Sequence, residues 1–263
     1  MTKILLSFII LIFFISGVSA DDKNKISISL DPSNSSLSDL EPPVTDYTTE
    51  NLPHTKIYNS NLSIKGGSNN VNYSYISVNT FFNKGKYYWE VQVEDLAEID
   101  QVGVLLSKNS MKDISTSVGL VGTFYGGRGI QLSNGRKVGN NLQLDHMGKF
   151  INNDILMIAL DLDNGTISFG RNGKWSDGLG NANKNYKDST HAFTDLQKNQ
   201  SYAVAHVMRD SDNDNIGISH YNFGDGFFGK KKIINPWLIN GAKFKYEVPM
   251  NFNYFKQKWK RIT

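Results

Sequence analysis

The segment Asn152 to Trp175, NNDILMIALDLDNGTISFGRNGKW, constrains the fold most. Ile155 to Leu162 is an apolar run rich in branched residues, and too short for a comfortable helix. Asp163-Asn164-Gly165 supplies turn residues suited to left-handed backbone, and Asn172-Gly173 supplies a second such signal. Between them Thr166 to Arg171 reads as another strand. Side chains alternate sides along a strand. Ile155, Met157, Ala159 and Asp161 therefore share one face, and Leu156, Ile158, Leu160 and Leu162 the other. Apolar residues on both faces predict a central strand covered on each side, in a layered β structure.

Three further blocks occur in order. Gly85-Lys86-Tyr87-Tyr88-Trp89-Glu90-Val91 is followed by Val102-Gly103-Val104, and the third block is Tyr202-Ala203-Val204 with His220-Tyr221-Asn222-Phe223-Gly224. With Asn153-Asp154, Asp161 to Phe169 and Arg171-Asn172-Gly173, these blocks resemble the SPRY domain family over roughly Thr55 to Phe228. Ser117-Val118-Gly119 stands where the family has SWG, and the family's proline before Ala203 is missing. The resemblance implies an all-β fold: a bent two-sheet antiparallel β-sandwich of the concanavalin A-like, jelly-roll type. It also implies a non-catalytic platform whose loops bind protein or peptide ligands.

The 263 residues suffice for one sizeable domain with extensions. Met1 to Ala20 reads as a signal peptide: Lys3 opens it, Ile4 to Ile15 is its apolar core, and Val18-Ser19-Ala20 offers a cleavage site before Asp21. The expected location is therefore secreted, with no stable membrane insertion after cleavage. Cysteine is absent, so the core must stabilise the domain without disulfides. Sequons occur at Asn34, Asn61, Asn72, Asn164 and Asn199.

Residues 21–54 form a polar leader in which Ile26-Ser27-Ile28-Ser29-Leu30 alternates like a short strand. The domain is expected over 55–229. Tyr87, Trp89, Val91 and Val93 predict a buried face, and Tyr88, Glu90, Gln92 and Glu94 a polar one. Strands are also expected at Tyr73–Val78, Asp100–Leu106, Val118–Phe124 and Gly129–Leu132. Tyr202–Met208 and Ile216–Phe223 are expected as a final pair, on which His206 and His220 could face each other. Many short strands with turns between them point to a sandwich. Residues 230–263 carry eight Lys and one Arg against Glu247, and are rich in aromatics. Phe244, Tyr246, Pro249 and Phe252 resemble a closing family stretch that packs on the sandwich. The rest reads as a solvated helix.

Motif chemistry is sparse. Asp210-x-Asp212-x-Asp214 has calcium-loop spacing, but Asn215 and Tyr221 occupy the positions that need glycine and a bidentate acid. Asp161 and Asp163 share a face but sit at a turn, which favours structural roles. No metal, cofactor or catalytic pattern emerges from the histidines or from glycine-rich loops. By position, Lys65–Val71, Lys108–Thr116 and Met208–Asn215 fall where the family places ligand loops. Lys65, Asn69, Asn70, Lys108, Asn109, Met111, Met208, Arg209 and Asp210 are the candidate partner-binding residues. The expected function is a secreted, monomeric protein-binding module without cofactor or nucleic-acid partner. An export signal on this domain resembles the secreted SPRY effectors of plant-parasitic nematodes. Two alternatives stand beside it: a carbohydrate-binding, lectin-like sandwich, and binding to membranes or other anionic surfaces through the basic tail.

Overall fold

The computed structural model describes residues 31–32, 56–58, 62–66, 74–77, 82–106, 126–140, 142–209 and 217–256. In chain order the strands are β1 (Asp31–Pro32), β2 (Lys56–Tyr58), β3 (Ser63–Gly66), β4 (Ser74–Ser77), β5 (Lys86–Asp95), β6 (Ile99–Leu106), β7 (Arg128–Gln131), β8 (Arg136–Gly139), β9 (Leu142–Asp145) and β10 (Ile155–Asp161). There follow β11 (Thr166–Arg171), β12 (Lys174–Ser176), β13 (Ala182–Lys184), β14 (Tyr202–Arg209), β15 (Gly217–Asn222), β16 (Phe227–Phe228), β17 (Lys231–Lys232), β18 (Trp237–Ile239), β19 (Ala242–Phe244) and β20 (Phe255–Lys256). The expected signal peptide, most of the expected leader, Ile26–Leu30 and Val118–Phe124 lie outside the described residues.

Two antiparallel sheets make the sandwich. One runs β13-β12-β11-β10-β5-β15-β3-β2 and the other β4-β14-β6-β7-β8-β9. Their facing side chains form one core. Trp89, Val91, Leu156, Ile158, Leu160 and Phe169 come from the first sheet, and Val102, Val104, Ile130, Val204 and Tyr202 from the second. Gly103 allows the second sheet to close, since a Cβ there would meet the Arg128 carbonyl oxygen at 2.1 Å. One buried and one partly exposed polar link tie distant segments together. His206 on β14 contacts Asp100 Oδ1 (2.7 Å) on β6 and the Tyr221 hydroxyl (2.8 Å) on β15, joining the sheets through the interior. Arg128 on β7 donates to both Asp195 oxygens, at 2.9 and 2.8 Å.

The central hairpin forms as expected, with β10 between β11 and β5. In its first turn Gly165 alone has the left-handed conformation (φ 74°), so Leu162 to Gly165 make a four-residue loop between Asp161 and Thr166. Asn172 and Gly173 (φ 51° and 86°) make the two-residue turn into β12. Asn153, standing at the family's glycine position, holds φ 72°. The carboxylates of the first loop hold it together. Asp161 pairs with Lys86 (2.7 Å) and accepts from the Asn164 backbone, while Asp163 accepts from the Gly85 N–H. Burial raises the Asp161 pKa, but the hydrogen bonds from Lys86 and Asn164 outweigh it and hold the carboxyl below its usual range.

Three expectations change. β14 and β15 do not pair: β14 lies between β4 and β6, and β15 between β3 and β5. His206 accordingly sits inside the sandwich while His220 lies on the other sheet, beside Glu94 and Ser63. β8 and β9 add two strands where sequence alternation was too short to register. The first half of the presumed polar face of β5 is covered instead: Tyr88 and Glu90 are fully buried, while Gln92 is half-buried and Glu94 is exposed as expected.

The cover is the C-terminal segment. Ala242, Phe244, Val248, Phe252 and Tyr254 pack on Tyr88, Met157, Ala159 and Trp175, making a second core on the outer face of the eight-stranded sheet. This accounts for the apolar residues on both faces of β10. Tyr88 and Phe244 meet edge to face at 5.0 Å, and Tyr186 contacts both Trp175 and Phe252. Where β15 ends, Asn253 takes over the free edge of β5: Tyr88 N–H donates to its carbonyl, and its own N–H donates to the Lys86 carbonyl. The described part of the tail thus consists of strands and irregular chain.

Glu90 anchors this cover. Its two oxygens accept from the Lys245 and Tyr246 backbone N–H groups (both 2.8 Å), the Tyr88 hydroxyl (2.9 Å) and the Asn222 side-chain amide (3.0 Å). Burial nevertheless pushes its carboxyl up to about 7, against the downward pull of those four donors. Because this lies above the ordinary 4.5, the contribution is fully present below pH 4.5 and is lost as pH rises through 7. Urea denaturation at several pH values is expected to show that decline in the wild type and not in Glu90→Gln. Phe244→Ala is expected to cost about 3–5 kcal/mol, read from the same curves, because a fully buried ring is removed.

Candidate functional site

The strand ends decide which candidate residues can act together. At one end of the sandwich Gly66 pairs with Gly217, Met208 with Ser74 and with Asp100, and Arg209 with Ile99. Three connections therefore cross between the sheets there: 67–73, 96–98 and 210–216. Lys65 and Arg209 stand at the described margins of that end, both half-buried. Asn69, Asn70 and Asp210 belong to its connections and lie outside the described residues.

Described polar groups fix the rim. Asn152 accepts from the Leu96 N–H (3.1 Å) and donates to Asp95 (3.1 Å), tying the β5–β6 turn to the chain entering β10. Asn153 N–H and the Asp154 carbonyl pair with Val93 beside it. Beneath the rim, a Cβ on Gly217 would meet Ala97 at 2.9 Å and the Met208 sulfur at 3.1 Å.

Met208 departs from expectation. It is 1% exposed and packs in the main core. The reason is parity: Val204, Met208 and their even-numbered neighbour His206 all point into the sandwich, so Met208 supports the rim and offers no apolar contact on it.

The second predicted loop leaves elsewhere. Leu106, at the end of β6, pairs with Tyr202, at the start of β14, and β7 returns to the same end with Arg128 opposite Val104. The connection carrying Lys108, Asn109 and Met111 is outside the described residues, but both of its anchors sit at the opposite end of β6 from Arg209. The structure thus brings the first and third loops to one end and anchors the second at the other. Antiparallel order causes this, and a linear sequence does not display it.

One constellation escaped sequence reading. On the outer face of the eight-stranded sheet, Ser63 Oγ lies 2.7 Å from His220 Nδ1, and His220 Nε2 lies 2.6 Å from Glu94 Oε2. Tyr58 sits edge-on to the His220 ring at 6.3 Å. The order hydroxyl–imidazole–carboxylate is that of an activated serine. Its setting argues otherwise: Ser63 is 0% exposed, and it pairs directly with His220 across a regular strand ladder. A covered hydroxyl gives substrate no approach, so the set pins β3, β15 and β5 together. His146 is similarly inward: burial, aided by Lys137, drives its imidazole down to about 4. Among the described residues no group of His, Cys, Asp or Glu is arranged to hold a metal ion.

The β5–β14 interval can now be compared with known proteins. Residues 86–210 match the model of the SPRY domain. The match begins on the first residue of β5, ends one residue beyond β14, and covers slightly under half of the chain. Among solved structures, the crystal structure of the SPRY domain of human HERC1 is similar over 67% of this chain and 96% of that one, at 17% identity and a TM-score of 0.47. No curated protein matches the chain. The SPRY match takes in the GKYYWEV block, Val102-Gly103-Val104 and the central hairpin. It stops short of β15 and of the Ala242–Tyr254 segment that covers the outer sheet face.

A fluorophosphonate probe is expected to leave Ser63 unlabelled in the folded protein, as read by peptide mass spectrometry. Labelling of Ser63 that disappears in His220→Ala would overturn the structural reading of this set.

Proposed function

We propose that the chain is an exported, non-catalytic protein-binding module that receives its partner at the end of the sandwich bearing Lys65, Asn69, Asn70, Arg209 and Asp210. The observation carrying this reading is the convergence of three sheet-to-sheet connections at that end, above a rim braced by Asn152, Asp95 and Met208. A rigid scaffold presenting several connections side by side suits recognition of a folded protein or a peptide. The SPRY match supports the class, since SPRY domains serve as protein-interaction modules. Export rests on the apolar N-terminal run and its small-residue site. Action on a host protein, as an effector, extends the same reading. The connection with Lys108, Asn109 and Met111 contributes a second, separate surface.

Affinity capture from candidate host material, followed by charge reversal, tests the proposal. Lys65→Glu with Arg209→Glu is expected to weaken the captured complex at least tenfold, as two rim contacts are each worth about 1 kcal/mol or more. Lys108→Glu is expected to change it little. Unchanged affinity in the double variant would remove the assigned end. Loss in Lys108→Glu alone would move the site to the other end.

A further inference from the structure

The two hairpins of the C-terminal segment form a surface that the protein-binding reading does not use. β16 pairs with β17, placing Phe227 opposite Lys232. β18 pairs with β19, placing Leu238 opposite Lys243. The hairpins are joined side by side. Lys243 N–H donates to the Gly224 carbonyl, and the Lys243 side chain runs across Gly226 so closely that a Cβ there would meet it at 2.8 Å, while Ile233 N–H donates to the Gly226 carbonyl and closes the first hairpin. Leu238, Lys243, Phe227 and Lys232 therefore follow one another over adjoining hairpins.

The two sides of the β18–β19 hairpin have different roles. Phe244 and Ala242 point inward and cover the outer sheet face. Leu238, on the opposite side, is 64% exposed. Ile234, in the connection between the hairpins, is 76% exposed, Trp237 44% and Phe227 38%. These apolar side chains are interleaved with charge of a single sign. From Gly226 to Tyr246 the chain has five lysines, at 230, 231, 232, 243 and 245, and no acid. All five are exposed. The flanking Asp225 has a buried Oδ1, and Glu247 lies outside the interval.

We propose that these hairpins dock the protein peripherally on an anionic lipid bilayer, with Phe227, Ile234 and Leu238 entering the headgroup boundary and the lysines pairing with lipid phosphate and carboxylate. Charge complementarity selects the surface: lysines near an anionic leaflet each add about 1 kcal/mol. The protruding side chains select a bilayer over other polyanions. Ile234 and Leu238 have no aromatic face for stacking on bases and no hydrogen bond to offer a phosphodiester, but hydrocarbon accepts them. The mode is interfacial: among the described residues no helix is long and apolar enough to span a membrane. Rigidity supports it as well, since the hairpins are fastened to the sandwich through Phe244 and the Glu90 clamp and pay little ordering entropy on docking.

Cosedimentation of the full chain with phosphatidylcholine vesicles, with and without phosphatidylserine, tests this. The readout is the anionic-minus-neutral difference, which cancels any contribution from the apolar N-terminal run. Salt is expected to weaken that difference. Lys231→Glu with Lys232→Glu is expected to lower it by at least about 25-fold, at about fivefold per lysine. Leu238→Asp is expected to lower it about tenfold. All three side chains are exposed, and unchanged thermal unfolding of the variants confirms that they fold. No difference between the two vesicle types would overturn the proposal. So would a difference that the lysine variant leaves intact. Loss with the lysine variant but not with Leu238→Asp would also overturn it, in favour of simple polyanion contact.

Discussion

Glu90 is the residue on which the architecture turns. A carboxylate in the centre of a sheet face is costly to bury, and it persists only because four donors converge on it. Two of those donors are backbone N–H groups of Lys245 and Tyr246, so satisfying the charge fixes the path of the C-terminal segment. That path lays Phe244 on Tyr88 and brings Phe252 and Tyr254 over the same face. Asn222 connects this clamp to the next hairpin, donating to Glu90 and to the Lys243 carbonyl while its own oxygen accepts from Gly224 and Gly226. One buried carboxyl group thus coordinates the sheet, the segment that covers it and the basic hairpins beyond.

Much of this was legible in the sequence, and the failures are instructive. The double-sided apolar pattern of Ile155 to Leu162 predicted a strand covered on both faces, and the structure supplies a cover for each. Local turn chemistry located Asn172-Gly173. On β5, period-two reading assigned Glu90 and Tyr88 to solvent, because polarity is a poor guide where distant backbone donors await a carboxylate. The pairing of β14 with β15 was misread for a related reason. Strands adjacent in sequence usually pair, but here the connection between them crosses from one sheet to the other.

The candidate site shows the same division between local and global information. Sequence order locates the three loops but not the end of the sandwich from which each departs. Only the register of β6 against β14 places Arg209 and Leu106 at opposite ends of one strand pair. Met208 illustrates the finer limit. It was assigned to the rim from its place beside a polar loop, yet its position in the alternation of β14 sends the sulfur into the core against Gly217.

The cover over the outer sheet face also bears on the order in which the molecule can be made. Synthesis delivers β5, β10 and β12 well before residues 242–254 leave the ribosome. Until then Tyr88, Met157, Ala159 and Trp175 lack the Ala242, Phe244, Val248, Phe252 and Tyr254 side chains that cover them, and the Glu90 carboxyl lacks two of its four donors. The nascent sandwich must pass through a stage with an open apolar face around a charge, a surface suited to transient chaperone attention. Completion of the chain, rather than closure of the sandwich, is the step that ends this exposure.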